Sequence, residues 1–408
     1  MDRRHVLQGL AGALAAPALL SGRGFAAERA PLTFGLPQGD YDTAELQSLP
    51  GKRPLIRLIT RPPNFETPVS YFDAPITPND AFFVRYHLAG IPARIDVQQW
   101  KVAVGGEGVT TPMQLGFADL QTGFEQVEVT AVCQCAGNRR GLSIPHVPGV
   151  QWGLGAMGNA VWRGPRLKDV LAKAGLKPGV VEIVVDGADG AVLTGTPDFV
   201  KSVPLTKAVD ENTIIALQMN GGPLPQFNGF PARLIVPGWV GTYWMKHLIS
   251  VQAVTKPYDG FWMKAAYRIP TGMFPTVQRF ATQENAMNTP ITEMVVNSLI
   301  VTPAEGSRVR VGEAVNVTGV AWDGGYGIRS VAVSTDNGAT WREAALGSDL
   351  GRFAFRPWSY RFTADAPGAR TILAKATNRL GETQVDALIF NPAGYHNNVA
   401  RPTSIVVA

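Results

Sequence analysis

The sequence predicts an α+β fold that is mainly β and closes with a β-sandwich. Three observations carry this. Glycine (44) and proline (31) are abundant among 408 residues while only 17% are charged, a loop-rich composition unlike that of a helical bundle. Between residues 67 and 285, short β-like runs alternate with turn residues. Beyond residue 286, strand-like runs are separated by "DGG" and "DNG" turns at the spacing of sandwiches. The length exceeds what one hydrophobic core supports, so two or three domains are expected.

The elements follow in order. The opening "MDRRHVLQGLAGALAAPALLSGRGFAAE" sets Arg3 and Arg4 before a short Ala/Leu-rich run and a small-residue cleavage site. That is the layout of a twin-arginine export signal over residues 1–27, and the apolar run is too short to span a bilayer. Export places the mature protein in the periplasm, with no membrane span expected. Removing the signal lowers the formal charge of +5 by two. No Lys/Arg-rich run or aromatic-interleaved basic stripe remains, so nucleic-acid binding has no support. Residues 28–66 are weakly patterned and read as an N-terminal arm over the body. Residues 67–285 form the main domain, with strands expected in "FFVRYHL", "WKVAVGG", "EVTAVCQC", "VVEIVVDG", "TIIALQMN", "ARLIVPG" and "HLISVQAV". One helix is expected at 166–175, "RLKDVLAKAG", with Gly175 as its C-cap. Residues 286–408 read as an immunoglobulin-like β-sandwich ending in a further strand.

The chemistry concentrates in "CQCAGNRR" at 133–140, which holds both cysteines of the chain. On one strand, side chains at i and i+2 share a face with Cα atoms roughly 7 Å apart, at the edge of disulfide geometry. Cys133, inside an apolar run, reads as a buried small hydrophobe. Cys135 ends the strand, and Ala136, Gly137 and Asn138 permit a sharp turn. Arg139 and Arg140 then bring positive charge near the sulfur, which favours thiolate. A thiolate there serves as nucleophile or soft metal ligand. Zinc fits poorly, because no CxxC or HxxxH partner accompanies it.

With these residues in view, the sequence resembles the sulfite oxidase family of mononuclear molybdenum enzymes. "CAGNRR" stands intact at 135–140, "FFVRYHLAGIP" at 82–92 is similar to the family's Arg-x-His segment, and "MNGGPLPQFNGFPARLIVPG" at 219–238 is close to its pterin-phosphate segment. "GTYWMKHL" at 241–248 and "FWMKAAYRIP" at 261–270 match its lysine- and tyrosine-bearing stretches, and "GVAWDGGYGIRSVAVSTDNGATW" resembles its immunoglobulin-like domain. The resemblance implies a sulfite-oxidase-type molybdopterin domain and a dimerisation-type C-terminal domain, through which a homodimer is expected. It makes Cys135 the molybdenum ligand, places Arg85, His87 and Arg140 at the substrate anion, and puts Tyr267 beside the metal's oxygen ligand. It assigns Phe83, Val84, Arg85, Tyr86, His87, Asp189, Asn228, Arg233, Trp244, Met245 and Lys246 to the molybdopterin. Asn228 stands where a histidine is often found, and Tyr86 where animal members have Asn.

Singly, each of these residues has an ordinary reading. Arg85 or Arg140 alone is a surface or ion-pair arginine, Tyr267 a packed aromatic, and Asp189 in "DGADG" a turn residue. His146 and His247 read as structural, His396 as a turn residue. Only the ordered set points to sulfite, an anion whose oxygens suit the planar donor fork of arginine. No CxxCH motif and no flavin or nicotinamide signature is seen, so no haem is expected in this chain. Electrons would leave to a separate acceptor, a c-type cytochrome in the periplasm or a haem subunit. Two rivals stand beside this reading: a molybdenum enzyme of the same fold reducing a sulfoxide or nitrate, and a non-enzymatic periplasmic anion-binding protein.

Overall fold

Alternating burial along short strands, set by turns, builds the architecture. The structure, a computed structural model, describes residues 45–271 and 288–408. The expected export signal, the first part of the arm and the end of the main domain lie outside those residues. Among the described residues no helix is long and apolar enough to cross a membrane.

The stretch expected as an arm is part of the body from Glu45 onward. Strands Glu45–Gln47, Leu55–Ile59 and Asn64–Glu66 join Val84–Arg85 in one four-stranded sheet. The alternation in "LIRLI" was too short to stand out, and its partners are distant in sequence. Pairing of Asn64 with Arg85 brings the Arg-x-His segment to the sheet edge.

Two further sheets frame the main domain. One has the order Lys201–Pro204, Glu182–Gly187, Leu248–Val254, Lys101–Gly105, Met113–Gly116. Its single parallel pair sets Ser250 against Ala103, and the connection between them carries most of the domain. The other runs Gly222–Pro223, Gln218–Met219, Met157–Pro165, Gln126–Gln134. The expected helix forms as Leu167–Ala174 and ends on Gly175. It buries Leu167, Val170, Leu171 and Ala174, at helical spacing along one face.

Beyond residue 288 two sheets pack face to face. Asn297–Thr302, Ala314–Trp322, Arg356–Thr363 and Ala345–Leu346 make the first. Ser307–Val309, Thr403–Val407, Gly368–Asn378, Ile328–Ser334 and Arg342–Glu343 make the second. Val317, Val331, Trp358, Ala374 and Ile405 from both sheets share one core, which gives the expected sandwich. A second face of this domain joins the main core: Trp322, Phe353 and Phe355 pack in the cluster that holds Trp152, Trp162 and Trp244.

Candidate functional site

The cysteine turn is positioned by the longest strand pair of the main domain. Gln126–Gln134 runs antiparallel to Met157–Pro165, with Cys133 opposite Gly158. Just past the strand, the Cys135 N–H donates to Ala156 O at 2.9 Å. The chain then reverses, Asn138 N–H donating to Cys135 O and Arg140 N–H to Gly137 O, each at 2.9 Å. Gly137 is needed here for space: a Cβ would lie 2.5 Å from the Arg140 guanidinium, which folds back over the turn.

The two arginines diverge, which corrects the expectation that both charge the sulfur. Arg139 takes a left-handed backbone, φ +69°, and its side chain leaves toward the C-terminal domain. There Nη2 donates to Ser298 O at 2.7 Å and Nη1 to Val399 O at 3.2 Å. Burial lowers its pKa to about 9, with Arg401 adding to the shift. Arg140 stays by the turn, with Nε donating to Ala393 O at 2.6 Å and Nη1 to Val150 O at 3.0 Å.

The turn floors a cleft open to solvent. Phe83, Arg85, Tyr86, His87, Cys135, Asp189, Asn228, Arg233, Trp244, Met245, Lys246 and Tyr267 all line it. Val84 does not: it packs in a small separate core with Leu55, Phe65 and Tyr86. Nor does Arg140, which sits one layer back. Cys133, Ala136, Phe199, Phe227, Gly241 and Thr242 also line the cleft. Cys133 and Ala136 belong to the legible motif at 133–140, whereas Phe199 carries no sequence signal and arrives through the fold.

One wall couples Arg85, His87 and Tyr267. Arg85 Nη1 donates to Asn64 Oδ1 at 3.0 Å and to the carbonyl of Tyr86. The His87 ring bonds the Tyr267 hydroxyl and stacks on Phe199 with centroids 3.8 Å apart. Burial first, then the charges of Arg85, Lys246, Lys201 and Arg140, hold His87 well below the usual histidine range. Burial raises the Tyr267 phenol, so both partners are neutral near pH 7. Tyr267 has φ +57°, a backbone region costly for an aromatic residue and one that clusters at functional sites.

The opposite wall is cationic. Arg233 Nη1 donates to Asn228 O at 3.1 Å and Nη2 to Cys133 Sγ at 3.3 Å, while its guanidinium lies over Trp162 and Trp244. Burial pushes the Cys133 thiol up, which keeps it protonated. Lys246 Nζ donates to Arg85 O at 2.6 Å. Burial and then Arg233 hold Lys246 well below the usual lysine range, with Asp189 opposing. Burial raises the Asp189 carboxyl, and Lys246 opposes that shift. Asn228 Nδ2 donates to Phe83 O at 3.1 Å, and its Oδ1 accepts from Lys52. Lys52 reaches in from the stretch expected to be an arm, and burial lowers its pKa to about 7. No motif marked it.

These residues fit an anionic, metal-bearing cofactor. The buried Nε atoms of Arg85 and Arg233 find no hydrogen-bond partner among the described residues. Two guanidinium groups, Arg85 and Arg233, line the cleft against Asp189, its one carboxylate. Such a surplus of cation suits a bound anion. Among the described residues no group of three or more His, Cys, Asp or Glu could hold a metal ion. A metal at Cys135 therefore needs most of its donors from a cofactor. The fold and site define a protein suited to hold an anionic metal cofactor beside the Cys135 thiol.

Comparison with known proteins agrees. Residues 87–262 match the oxidoreductase molybdopterin binding domain and residues 288–405 the Mo-co oxidoreductase dimerisation domain. Mitochondrial sulfite oxidase of Rattus norvegicus is 34% identical over 86% of this chain and 65% of its own length. Sulfite oxidase of Gallus gallus is 33% identical over 83% of this chain and 75% of its own. The crystal structure of the sulfane dehydrogenase SoxCD from Paracoccus pantotrophus superposes with TM-score 0.73 at 25% identity, covering 94% of this chain and 92% of that one. The chain spans about 65% of the length of the rat and mouse relatives. It belongs to the sulfite oxidase family of molybdenum oxidoreductases.

Proposed function

We propose that this protein oxidises sulfite to sulfate in the periplasm, after twin-arginine export, and passes the electrons to a c-type cytochrome. The observation that carries the reading is the cleft itself: the Cys135 thiol faces partly unpartnered guanidinium groups and a neutral His87–Tyr267 pair. Cys135 would hold the molybdenum, and Arg233, Lys246 and Asn228 would hold the molybdopterin. When bound, the molybdenum supplies oxygen-atom transfer and takes up the two electrons of oxidation. The chain's own part is electrostatic and orienting. Arg85 presents a planar donor fork to the sulfur oxyanion, worth more in this poorly hydrated site than in water. Phe199 and Tyr267 limit water on that side. Tyr267, hydrogen-bonded to the His87 ring, keeps its phenol proton at the cleft wall, where it can serve as a proton donor. Burial raises the Tyr267 phenol, and the charge of Arg85 opposes that rise.

The dimerisation-domain match supports assembly of two chains through residues 288–405. A second reading, oxidation of sulfane sulfur, is favoured by the extent of the SoxCD superposition. Both are tested by holoenzyme from a molybdopterin-competent host, assayed for cytochrome c reduction with sulfite and with a sulfane-bearing substrate. Turnover with sulfite supports the first reading. Turnover with the sulfane substrate alone replaces it, and turnover with neither, in protein carrying about one molybdenum per chain, rejects both.

A further inference from the structure

The molybdopterin-domain match ends at residue 262, but the side-chain layers around the site do not. Tyr395, in the C-terminal segment, is 4% exposed. Its ring stacks on that of Tyr267, with centroids 5.8 Å apart and planes at 9°. The same ring carries the Arg140 guanidinium, whose central carbon lies 5.4 Å from the Tyr395 centroid. One side chain thus touches both a residue of the cleft wall and the arginine held behind it.

The segment around Tyr395 is built to stay in place. Asn391 Oδ1 accepts the Tyr395 N–H at 2.9 Å and Asn391 Nδ2 donates to the Tyr395 carbonyl at 2.7 Å. Gly394 has φ +61°, and a Cβ there would lie 2.8 Å from Val147 and 2.9 Å from Arg140 Cγ. Ala393, one residue earlier, accepts from Arg140 Nε. With Nε and Nη1 both donating to main-chain carbonyls, Arg140 keeps Nη2 without a hydrogen bond among the described residues. Burial holds the Tyr395 phenol well above the usual tyrosine range, so the ring is neutral. A neutral aromatic face suits a guanidinium and a parallel phenol together.

We infer that Tyr395 is a positioning residue for the sulfur oxyanion: its ring sets the plane of Tyr267 and holds Arg140 in one orientation behind the cleft wall. This deepens the proposed oxidation, and it gives the C-terminal domain a part in substrate affinity. Its function resides in the ring, not the hydroxyl.

The test uses molybdenum-loaded, full-length protein and two readouts. One is steady-state kinetics with sulfite. The other is the dissociation constant of sulfate measured by calorimetry, which does not depend on turnover. Tyr395→Leu is expected to raise the KM for sulfite and the sulfate dissociation constant together by about tenfold, with kcat changed less and molybdenum content unchanged. Tyr395→Phe should stay within about threefold of wild type in both. A folded Tyr395→Leu with wild-type KM and sulfate affinity overturns the inference, as does a Tyr395→Phe as impaired as Tyr395→Leu. If Tyr395→Leu does not fold, Asn391→Ala replaces it, since it frees the segment and keeps the ring. A rise in both constants then supports the inference, and wild-type values overturn it. If wild-type protein does not oxidise sulfite, the proposed reaction fails while sulfate affinity still decides the role of Tyr395.

Discussion

At the residue scale, the site works through charge placed where water is scarce. His87 is held neutral by burial and then by its cationic neighbours, Arg85 first among them. Removing that charge raises the histidine pKa, so the protonated form persists to higher pH. Arg85→Gln should therefore move the acid limb of the kcat/KM profile upward in pH. It should also lower kcat/KM for sulfite by roughly 30- to 1000-fold, the effect of losing one donor worth about 2–4 kcal/mol. A pH–rate profile of this variant checks both; an acid limb left in place shows that His87 does not set it. Cys135, Arg85, His87 and Lys246 were legible because each sits in a short motif whose order is itself informative. Lys52 and Phe199 were not, since a single lysine or phenylalanine gains meaning only from neighbours distant in sequence, such as Asn228 for Lys52 and His87 for Phe199.

At the element scale, short turns and strand ends aim the side chains. The turn after Gln126–Gln134 lets Arg140 fold over Gly137, where a Cβ would meet the guanidinium at 2.5 Å. Gly137→Ala should displace Arg140 and weaken sulfite binding about tenfold or more, by loss of orientation. A sulfate dissociation constant equal to that of wild type would show that the guanidinium has room to adjust.

The strand Lys201–Pro204 gives a second case. Its Lys201 is fully buried, donates to Trp262 O at 2.6 Å and lies over the rings of Tyr243 and Tyr267. Burial, with Arg268 adding, lowers its pKa to about 7. Because the unfolded chain binds this proton more tightly, Lys201 makes stability rise with pH from about 7 to about 10.5 and costs most below 7. Lys201→Met should flatten that part of the curve, as read by denaturant unfolding at several pH values; an unchanged slope would contradict the assignment. The expected helix and the longer strands were legible from periodicity and capping. The N-terminal sheet was not, because three-residue strands such as Asn64–Glu66 are defined by partners and not by pattern.

At the scale of the whole molecule, the C-terminal domain supports the cysteine turn. Trp322 Nε1 donates to Gln134 Oε1 at 2.7 Å, and the Val132 N–H donates to Phe353 O at 2.9 Å. Arg139 extends the same seam to Ser298 and Val399, and Asn397 Nδ2 donates back to Arg139 O at 3.0 Å. With Trp322 and Phe355 buried in the main core, each worth about 1.5–3 kcal/mol, separating the two parts is costly. Calorimetry of the full chain should show one cooperative unfolding transition; two resolved transitions would mean that the parts fold independently. The sandwich was legible from turn spacing, but this seam was not. Arg139 reads in sequence as a charge for the sulfur, and only its left-handed backbone sends it to the other domain. The account as a whole rests on Cys135, not Cys133, being the thiolate that holds the molybdenum. X-ray absorption at the molybdenum edge tests this directly in wild type, Cys135→Ser and Cys133→Ser. The expected result is one fewer sulfur neighbour, or no retained metal, in Cys135→Ser, and a wild-type sphere in Cys133→Ser. A sulfur neighbour lost in Cys133→Ser and kept in Cys135→Ser would contradict it.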